Sequence, residues 1–116
     1  MPLYSRMQNA IQAKTQYNDF IFTKESLRYM VKASSQYKNL KIYAWGNSDY
    51  PDDIDNFSDL HHYSEKFNSL MLYYMAENKG LLTPDNFDAY YDEFEKKSLA
   101  FDLMPYYEQI QNAFAK

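Results

Sequence analysis

Apolar side chains recur every three or four positions along most of this 116-residue chain. That spacing is the period of an α-helix with one face turned toward a core. The pattern predicts helices over residues 3–17, 23–37, 57–79 and 83–101, and a last one after residue 105. The fold class that follows is mostly α, a compact helical domain of about five helices.

The clearest helix start in the sequence is Thr83-Pro84-Asp85. It combines an N-cap residue, a proline suited to the first helical position and an acid that favours the positive end of the helix dipole. Because the residue before a proline avoids the helical region, we expect Met104 to mark a break before Pro105. The last helix is then expected to carry Tyr106, Tyr107, Ile110 and Phe114.

The remaining helix ends are predicted from weaker signals. Thr23 is the expected N-cap of the second helix, which should end near Tyr37. Asp55 or Asn56 is the expected cap of the third helix, and Gly80 is the expected stop. The third helix would then place a long apolar stripe on one face, formed by Phe57, Leu60, His61, Ser64, Phe67, Met71, Tyr74 and Met75.

One segment of the chain favours a β-strand. Leu40–Trp45 alternates apolar and mixed positions, and the turn-prone pair Gly46-Asn47 follows it. A strand requires a partner, and the short apolar run Phe20–Phe22 is the natural one, although this run also suits a helix entry. A short two-stranded β element is therefore compatible with the sequence, and α+β is the alternative fold class.

The composition indicates a single globular domain over residues 1–116. Hydrophobic residues make up 46% and charged residues 24%, with 2 Gly and 4 Pro, unlike disordered chains. The absence of cysteine excludes disulfides, thiolate nucleophiles and thiolate metal sites. Neither a leader pattern at the N-terminus nor an apolar run of membrane-spanning length is present, so we expect a cytoplasmic protein without membrane contact.

The charge of the chain is divided unevenly along its length. Residues 1–48 carry seven basic and two acidic side chains, whereas residues 49–116 carry five basic and fourteen acidic ones. The net charges of the two parts are therefore +5 and −9. Such a division can steer charged partners, or the two parts can pack together and neutralise each other. The sequence alone leaves both interpretations open.

No metal or cofactor site is expected. His61 and Glu65 lie four residues apart on a predicted helix, but two ligands do not make a site. The acidic loop around Asp53 lacks the glycine and the oxygen spacing of a calcium loop. The loop acids are Asp49, Asp52, Asp53, Asp55 and Asp59. A solvated loop that caps a helix explains them better.

Catalysis is not indicated by any motif. The two histidines, His61 and His62, are adjacent, and nothing near Ser58 or Ser64 resembles a strained nucleophile turn. The two glycines are isolated, so no phosphate-binding loop is present. We therefore predict a protein that is not an enzyme.

Tyrosine is unusually abundant, with 13 among 22 aromatic residues. Adjacent tyrosines on a helix point in different directions, so the pairs at 73–74, 90–91 and 106–107 should each leave one ring at the core edge or on the surface. The further tyrosines expected to be exposed are Tyr4, Tyr29, Tyr50 and Tyr63. Because tyrosine is enriched at protein interfaces, this content favours a binding surface over simple boundary filling.

These features favour a non-enzymatic protein-binding module. The hypothesis is a small acidic inhibitor of the phage or mobile-element type, an anti-CRISPR-like anti-defence or immunity protein, that blocks a partner with a basic, nucleic-acid-handling surface. The residues predicted to bind the partner are Asp49, Tyr50, Asp52, Asp53, Asp85, Asp88, Asp92, Glu93 and Glu95.

Two alternatives remain open. In the first, the protein self-assembles, with the basic part of one copy against the acidic part of the next. In the second, it binds nucleic acid through the basic residues Lys24, Arg28, Lys32, Lys38 and Lys41. The small number of arginines makes nucleic acid the weaker alternative, because base and phosphate recognition favours arginine.

Overall fold

The computed structural model describes residues 3–59 and 61–108. The helices with full bounds in this part are α1 (Arg6–Thr15), α2 (Tyr17–Ser34), α3 (Lys66–Ala76) and α4 (Phe87–Ala100). Two strands, β1 (Ile42–Tyr43) and β2 (Leu81–Leu82), form an antiparallel pair, and single 3-10 turns lie at Tyr50–Asp52 and Ile54–Asn56. The prediction of a mostly α fold with a small β element is confirmed.

Helices α1 and α2 are joined by a single residue. The Ser5 hydroxyl accepts a hydrogen bond from the Gln8 backbone N–H at 3.2 Å and caps the start of α1. Gln16 then serves both helices, because its N–H donates to Gln12 in α1 and its carbonyl accepts from Phe20 in α2. The predicted helix over residues 3–17 therefore begins three residues later than expected and continues almost directly into the next helix.

The run Phe20–Phe22 lies inside α2, so its predicted role as a strand is wrong. Phe20 falls on the same helix face as Leu27 and Val31, and burial of that face in the core stabilises the helix. Thr23 is not an N-cap, because its hydroxyl donates to the Asp19 carbonyl one turn earlier. The helix ends at Ser34, three residues before the predicted end.

The strand predicted within Leu40–Trp45 exists, but its partner lies sixty residues closer to the C-terminus than expected. Ile42 pairs with Leu82, and Tyr43 pairs with Leu81. Gly80 makes the pairing possible, since its φ of 84° lies in the left-handed region and a Cβ there would overlap the Trp45 indole. The predicted role of Gly80 as the stop of the third helix is wrong. That helix ends at Ala76, and the left-handed residue after its cap is Asn78, with a φ of 56°.

The third helix is much shorter than predicted. Phe57 forms an isolated antiparallel bridge with Tyr63, and α3 begins only at Lys66. Between them the Asp59 carboxylate accepts hydrogen bonds from the backbone N–H groups of His61 and His62. An aspartate that bonds to nearby backbone N–H groups stabilises a turn in place of a helix, which explains the error.

Helix α4 begins at Phe87, four residues after the predicted N-cap Thr83, because residues 84–86 form a turn before the helix. The Thr83 hydroxyl accepts from the Asn86 N–H at 3.2 Å, and the Asn86 side chain accepts from the Thr83 N–H at 2.9 Å. Thr83 also accepts the first helical hydrogen bond through its carbonyl, from the Phe87 N–H. The helix ends at Ala100, and residues 104–108 are helical again. The break lies at residues 101–103, before the predicted position: Met104 is helical, and its N–H donates to the Asp102 carboxylate. Ile110 and Phe114 lie outside the described residues.

The core consists of two clusters. The first lies between α2 and α4 and contains Phe20, Leu27, Val31, Phe87, Tyr90, Tyr91 and Phe94 among its buried residues. The second gathers Leu3, Trp45, Phe57 and Phe67, with Tyr50, Tyr63 and Tyr74 packed against them. Helix α1 contacts α2, α4 and the first 3-10 turn, so it lies where the two clusters meet.

The reciprocal cap at Thr83 gives a stability prediction. Thr83→Ala should lower the free energy of unfolding by about 1 kcal/mol, because the Asn86 N–H loses its side-chain acceptor. Urea denaturation of both proteins measures the difference. Thr83→Ser keeps the hydroxyl and should retain most of the stability, and equal stability of the alanine variant and the parent would contradict the capping assignment.

Candidate functional site

Two ion pairs join the basic and acidic parts of the chain. The Arg6 Nε lies 2.7 Å from an Asp52 carboxylate oxygen, and an Arg28 terminal nitrogen lies 2.6 Å from an Asp88 oxygen. Arg28 also contacts Glu25 at 3.2 Å on its own helix. Part of the charge asymmetry seen in the sequence is therefore neutralised within the molecule, and Asp52 and Asp88 have partners inside the chain.

Arg6 differs from the other basic residues because its side chain is completely buried. One terminal nitrogen donates to the Ser48 carbonyl at 2.7 Å, and the guanidinium lies 5.9 Å from the centre of the Phe94 ring. The second terminal nitrogen, Nη1, has no acceptor within the described part of the chain. Burying a cation is costly unless a negative charge compensates it, and Asp52 supplies that charge. Asp52 therefore has a structural role, on the side of its loop that faces Arg6.

Other predicted partner-binding residues of the loop have different environments. Asp49 is almost fully exposed and accepts a hydrogen bond from Lys97 at 2.9 Å, which lowers the pKa of that carboxyl. Tyr50 places its ring in the second core cluster, 4.3 Å from the ring centre of Phe67. Asp53 is exposed, and its carboxylate accepts from the backbone N–H of Asp55. Tyr50 is therefore mainly a core residue. The negative charge that the loop presents to solvent comes from Asp49 and Asp53.

Helix α4 holds four of the eight predicted acidic residues, and none of the four is buried in the core. Its inner face is occupied by buried Phe87, Tyr90, Tyr91, Phe94 and Ser98. Glu95 accepts from the Tyr17 hydroxyl at 2.7 Å, which raises the pKa of Tyr17, and Glu93 lies 3.8 Å from Lys97. Lys97 thus lies between Glu93 of α4 and Asp49 of the loop, and brings these two predicted site residues together.

Asp85 and Asp92 are the acids of this surface that remain free for a partner. Both are exposed, and neither forms an ion pair or a side-chain hydrogen bond with any residue that the structure describes. Asp92 lies on the outward side of α4, one helical turn before the exposed Lys96. The acidic surface is therefore centred on α4, with Asp49 at its edge and its strongest uncompensated charge at Asp85 and Asp92.

The structure also shows exposed apolar side chains that the sequence interpretation missed. Phe22 and Tyr29 on α2 are 74% and 75% exposed, and Leu72 and Tyr73 on α3 are similarly open. Tyr29 was predicted to be exposed, but the exposure of its neighbours was not. The sequence did contain a signal of this exposure, because apolar residues occupy more of the circumference of α2 than one buried face requires.

A groove of about 460 Å³ opens beside the exposed side of α2. Its walls include Phe22 and Met30 of α2, Gln12 of α1, Tyr4 of the N-terminal segment and Ile42 of β1. The groove is mainly apolar, and its lining also includes Tyr91 and Phe94 on the inner face of α4 but none of the acids of that helix. The two surfaces can therefore be considered separately.

The tyrosine pairs follow the sequence prediction only in part. Tyr73 is exposed beside half-buried Tyr74, as expected for neighbours on a helix. Tyr90 and Tyr91 are both buried, so the expectation that one of them faces outward is wrong. Helix α4 is contacted by both α1 and α2, and a helix covered from two sides buries a wider arc of its surface.

The histidine pair does not form the arrangement considered from the sequence. His61 is exposed with its ring 5.2 Å from that of Tyr4, and Glu65 directly precedes α3, so the two do not share a helix face. The His62 ring contacts the Asp59 carboxylate at 2.8 Å. In residues 3–59 and 61–108, no three histidine, aspartate or glutamate side chains are grouped so that they could hold a metal ion.

Comparison with protein-family models, with curated proteins and with solved structures finds no match to this chain. Within the described ranges, no helix has both the length and the apolar character needed to cross a membrane. What the protein binds must therefore be inferred from the chemistry of its own side chains.

The buried Arg6–Asp52 pair predicts an asymmetric mutational response. Asp52→Ala should lower the free energy of unfolding by about 2–3 kcal/mol, because the guanidinium stays buried without its counterion. The expected loss is at the low end for such pairs, since the Asp52 side chain is 44% exposed. The double variant Arg6→Met/Asp52→Ala should be more stable in urea than Asp52→Ala alone. Equal or lower stability of the double variant would show that other groups compensate the charge.

The two buried tyrosines of α4 predict a loss of stability in alkali. Burial raises the pKa of both Tyr90 and Tyr91, whereas in the unfolded chain these phenols ionise at about pH 10. The unfolded state therefore loses protons first, so stability is complete below that pH and falls as the pH rises toward the folded-state pKa. Circular dichroism across an alkaline titration measures this loss. Tyr91→Phe should reduce the pH dependence, and Tyr73→Phe, at an exposed position, should leave it unchanged.

Proposed function

We propose that the protein is a non-enzymatic protein-binding module whose acidic α4 surface binds a partner with a basic surface. The observation that supports this proposal most directly is the arrangement of α4. Five buried residues occupy its inner side, Asp88, Asp92 and Glu93 are exposed, and Glu95 is half-buried. Exposed Asp85 lies just before the helix. Such a surface attracts basic partners and accelerates their association.

The partner class that fits this surface best is a protein that normally handles nucleic acid. The channels of such proteins present lysine and arginine toward phosphate groups, and a rigid row of carboxylates can occupy the same positions. This is the role predicted from the sequence, that of a small acidic inhibitor of the phage or mobile-element type. The proposal therefore assigns stoichiometric inhibition, in which the acidic surface competes with the nucleic acid for one basic channel.

The internal ion pairs are compatible with this role. The pair between Arg28 and Asp88 lies at the surface, where such pairs contribute little to stability and exchange partners easily. The hydrogen bond from Tyr17 to Glu95 likewise lies at the surface. A basic partner can therefore compete for these carboxylates without disturbing the core, while Asp85 and Asp92 are available from the start.

Protein binding is favoured over nucleic-acid binding because much of the basic part is engaged within the chain. Arg6 is buried, Arg28 pairs with Asp88, and Lys14 donates to the Phe101 carbonyl at 2.6 Å. Lys24 lies 5.7 Å from the centre of the Tyr91 ring. A nucleic-acid site requires a continuous set of free cations, and these contacts interrupt it.

Charge reversal at the two free acids tests the proposal. Parent protein and the Asp85→Lys/Asp92→Lys variant are immobilised and exposed to an extract of the encoding organism, and the retained proteins are identified by mass spectrometry. We expect the parent to retain a nucleic-acid-binding protein with a basic surface that the variant does not retain. The association rate of that purified partner should fall at least about tenfold at low salt in the variant.

Two controls separate charge from folding. The variant should unfold at the same urea concentration as the parent, because both positions are exposed and unpaired among the residues described. Lys96→Glu adds charge of the favourable sign next to Asp92 and should accelerate association. Unchanged association for both variants would mean that the α4 surface takes no part in binding.

A further inference from the structure

Helix α2 has a second apolar face that nothing in the described structure covers. Its inner face is buried in the first core cluster. The outer face, which we call the outer stripe, is formed by Phe22, Ser26, Tyr29, Met30 and Ala33. These positions lie within one arc of the helix, because Phe22, Ser26, Tyr29 and Ala33 follow the spacing of successive turns.

The outer stripe exposes more apolar surface than isolated surface residues do. Phe22 is 74% exposed, Tyr29 75% and Met30 50%, and all three share one side of a single helix. The apolar groove of about 460 Å³ begins at Phe22 and Met30, so the exposed area continues beyond the helix. Contiguous apolar surface of this kind marks an interaction site, because its exposure to water is unfavourable.

The charges beside the outer stripe indicate what covers it. Glu25 and Lys32 are seven residues apart, so they lie on the same flank of α2, next to Tyr29. The acid lies in the N-terminal half of the helix and the base in the C-terminal half. Lys32 forms no ion pair with any residue in the described ranges, and Glu25 contacts only the partly exposed Arg28, at 3.2 Å.

This charge pattern is complementary to itself. When two copies of α2 lie antiparallel with the twofold axis between positions 28 and 29, Glu25 of each copy faces Lys32 of the other. A single flank thus supplies two equivalent ion pairs, which is the property of an isologous interface. In a parallel arrangement the two copies of this flank lie on opposite sides of the contact, so neither ion pair can form.

The apolar residues fit the same arrangement. Tyr29 lies next to the axis, so the two copies of this ring meet at the centre of the contact. Phe22, near one end of the stripe, falls opposite the end that carries the small residue Ala33. Large side chains thereby meet small ones at both ends, which allows the two helices to approach closely.

We propose that the protein forms a symmetric homodimer in which α2 packs antiparallel against α2 of a second copy through the outer stripe. Phe22, Tyr29 and Met30 supply the apolar contact, and reciprocal pairs of Glu25 and Lys32 fix its direction. The contact uses none of the acids of α4, because the apolar inner face of α4 packs against the opposite, inner side of α2. Arg28, which contacts both Glu25 and Asp88, lies between the two surfaces. Each dimer therefore presents two copies of the acidic surface of α4.

Sedimentation velocity over a wide range of concentrations tests the proposal on the full chain. The parent should sediment as a dimer that dissociates on dilution. Glu25→Lys and Lys32→Glu should each weaken dimerisation about tenfold, because each places like charges together twice per dimer. The combined variant Glu25→Lys/Lys32→Glu exchanges the two charges and should restore dimerisation to near the parent value.

Two further variants complete the test. Phe22→Lys/Tyr29→Lys should abolish the dimer while circular dichroism and thermal unfolding remain close to those of the parent, because both side chains are largely exposed in the monomer. Lys96→Glu, a matched reversal on α4, should not affect dimerisation. A chain that is monomeric at all concentrations would overturn the proposal, as would a dimer that survives Phe22→Lys/Tyr29→Lys or that the charge exchange fails to restore.

Discussion

The burial of the Arg6 guanidinium is the interaction on which the arrangement of α1 depends. Within the described part of the chain, Arg6 is the charged side chain that the interior encloses, and its contacts reach three separate elements. It binds Asp52 in the first 3-10 turn, the carbonyl of Ser48 in the preceding loop, and the face of Phe94 on α4. The cost of desolvating the cation is offset only when all of these groups are in place, so the position of the loop and the position of α1 are determined together.

The parts of the fold that could be predicted from sequence are those controlled by nearby residues. Thr83 and Asn86, three positions apart, form the reciprocal hydrogen bonds of the turn that leads into α4, and an interruption of the helix lies close to Pro105, at residues 101–103. The strand in Leu40–Trp45 was also recognisable from its alternation. Each of these features is decided within a few residues, where the sequence pattern contains the relevant physics.

The incorrect predictions concern features decided by distant contacts. Phe20–Phe22 is helical because Phe20 packs against Tyr91 and Phe94, more than seventy residues away. The burial of Arg6 by Asp52 has no local signature either, and a basic residue in an amphipathic pattern is normally solvated. The candidate site divides in the same way. The outward position of the acids on α4 was predictable from the helix pattern. The ion pairs that Asp52 and Asp88 form within the chain, and the exposed apolar side of α2, depend on tertiary contacts that the sequence pattern does not contain.

The two-residue β pair has a consequence for the cooperativity of the molecule. Together with the hydrogen bond from the Trp45 indole to the Lys79 carbonyl, it brings the two ends of the segment 44–80 together. This segment supplies most of the second core cluster. The part of this segment that follows the contacts of Arg6 and carries α3 can open while the cluster between α2 and α4 stays intact, because its side chains belong to the second cluster. Amide hydrogens of α3 should then exchange with solvent faster than those of α2 and α4, and the surface of α4 would keep its shape in a partly open molecule.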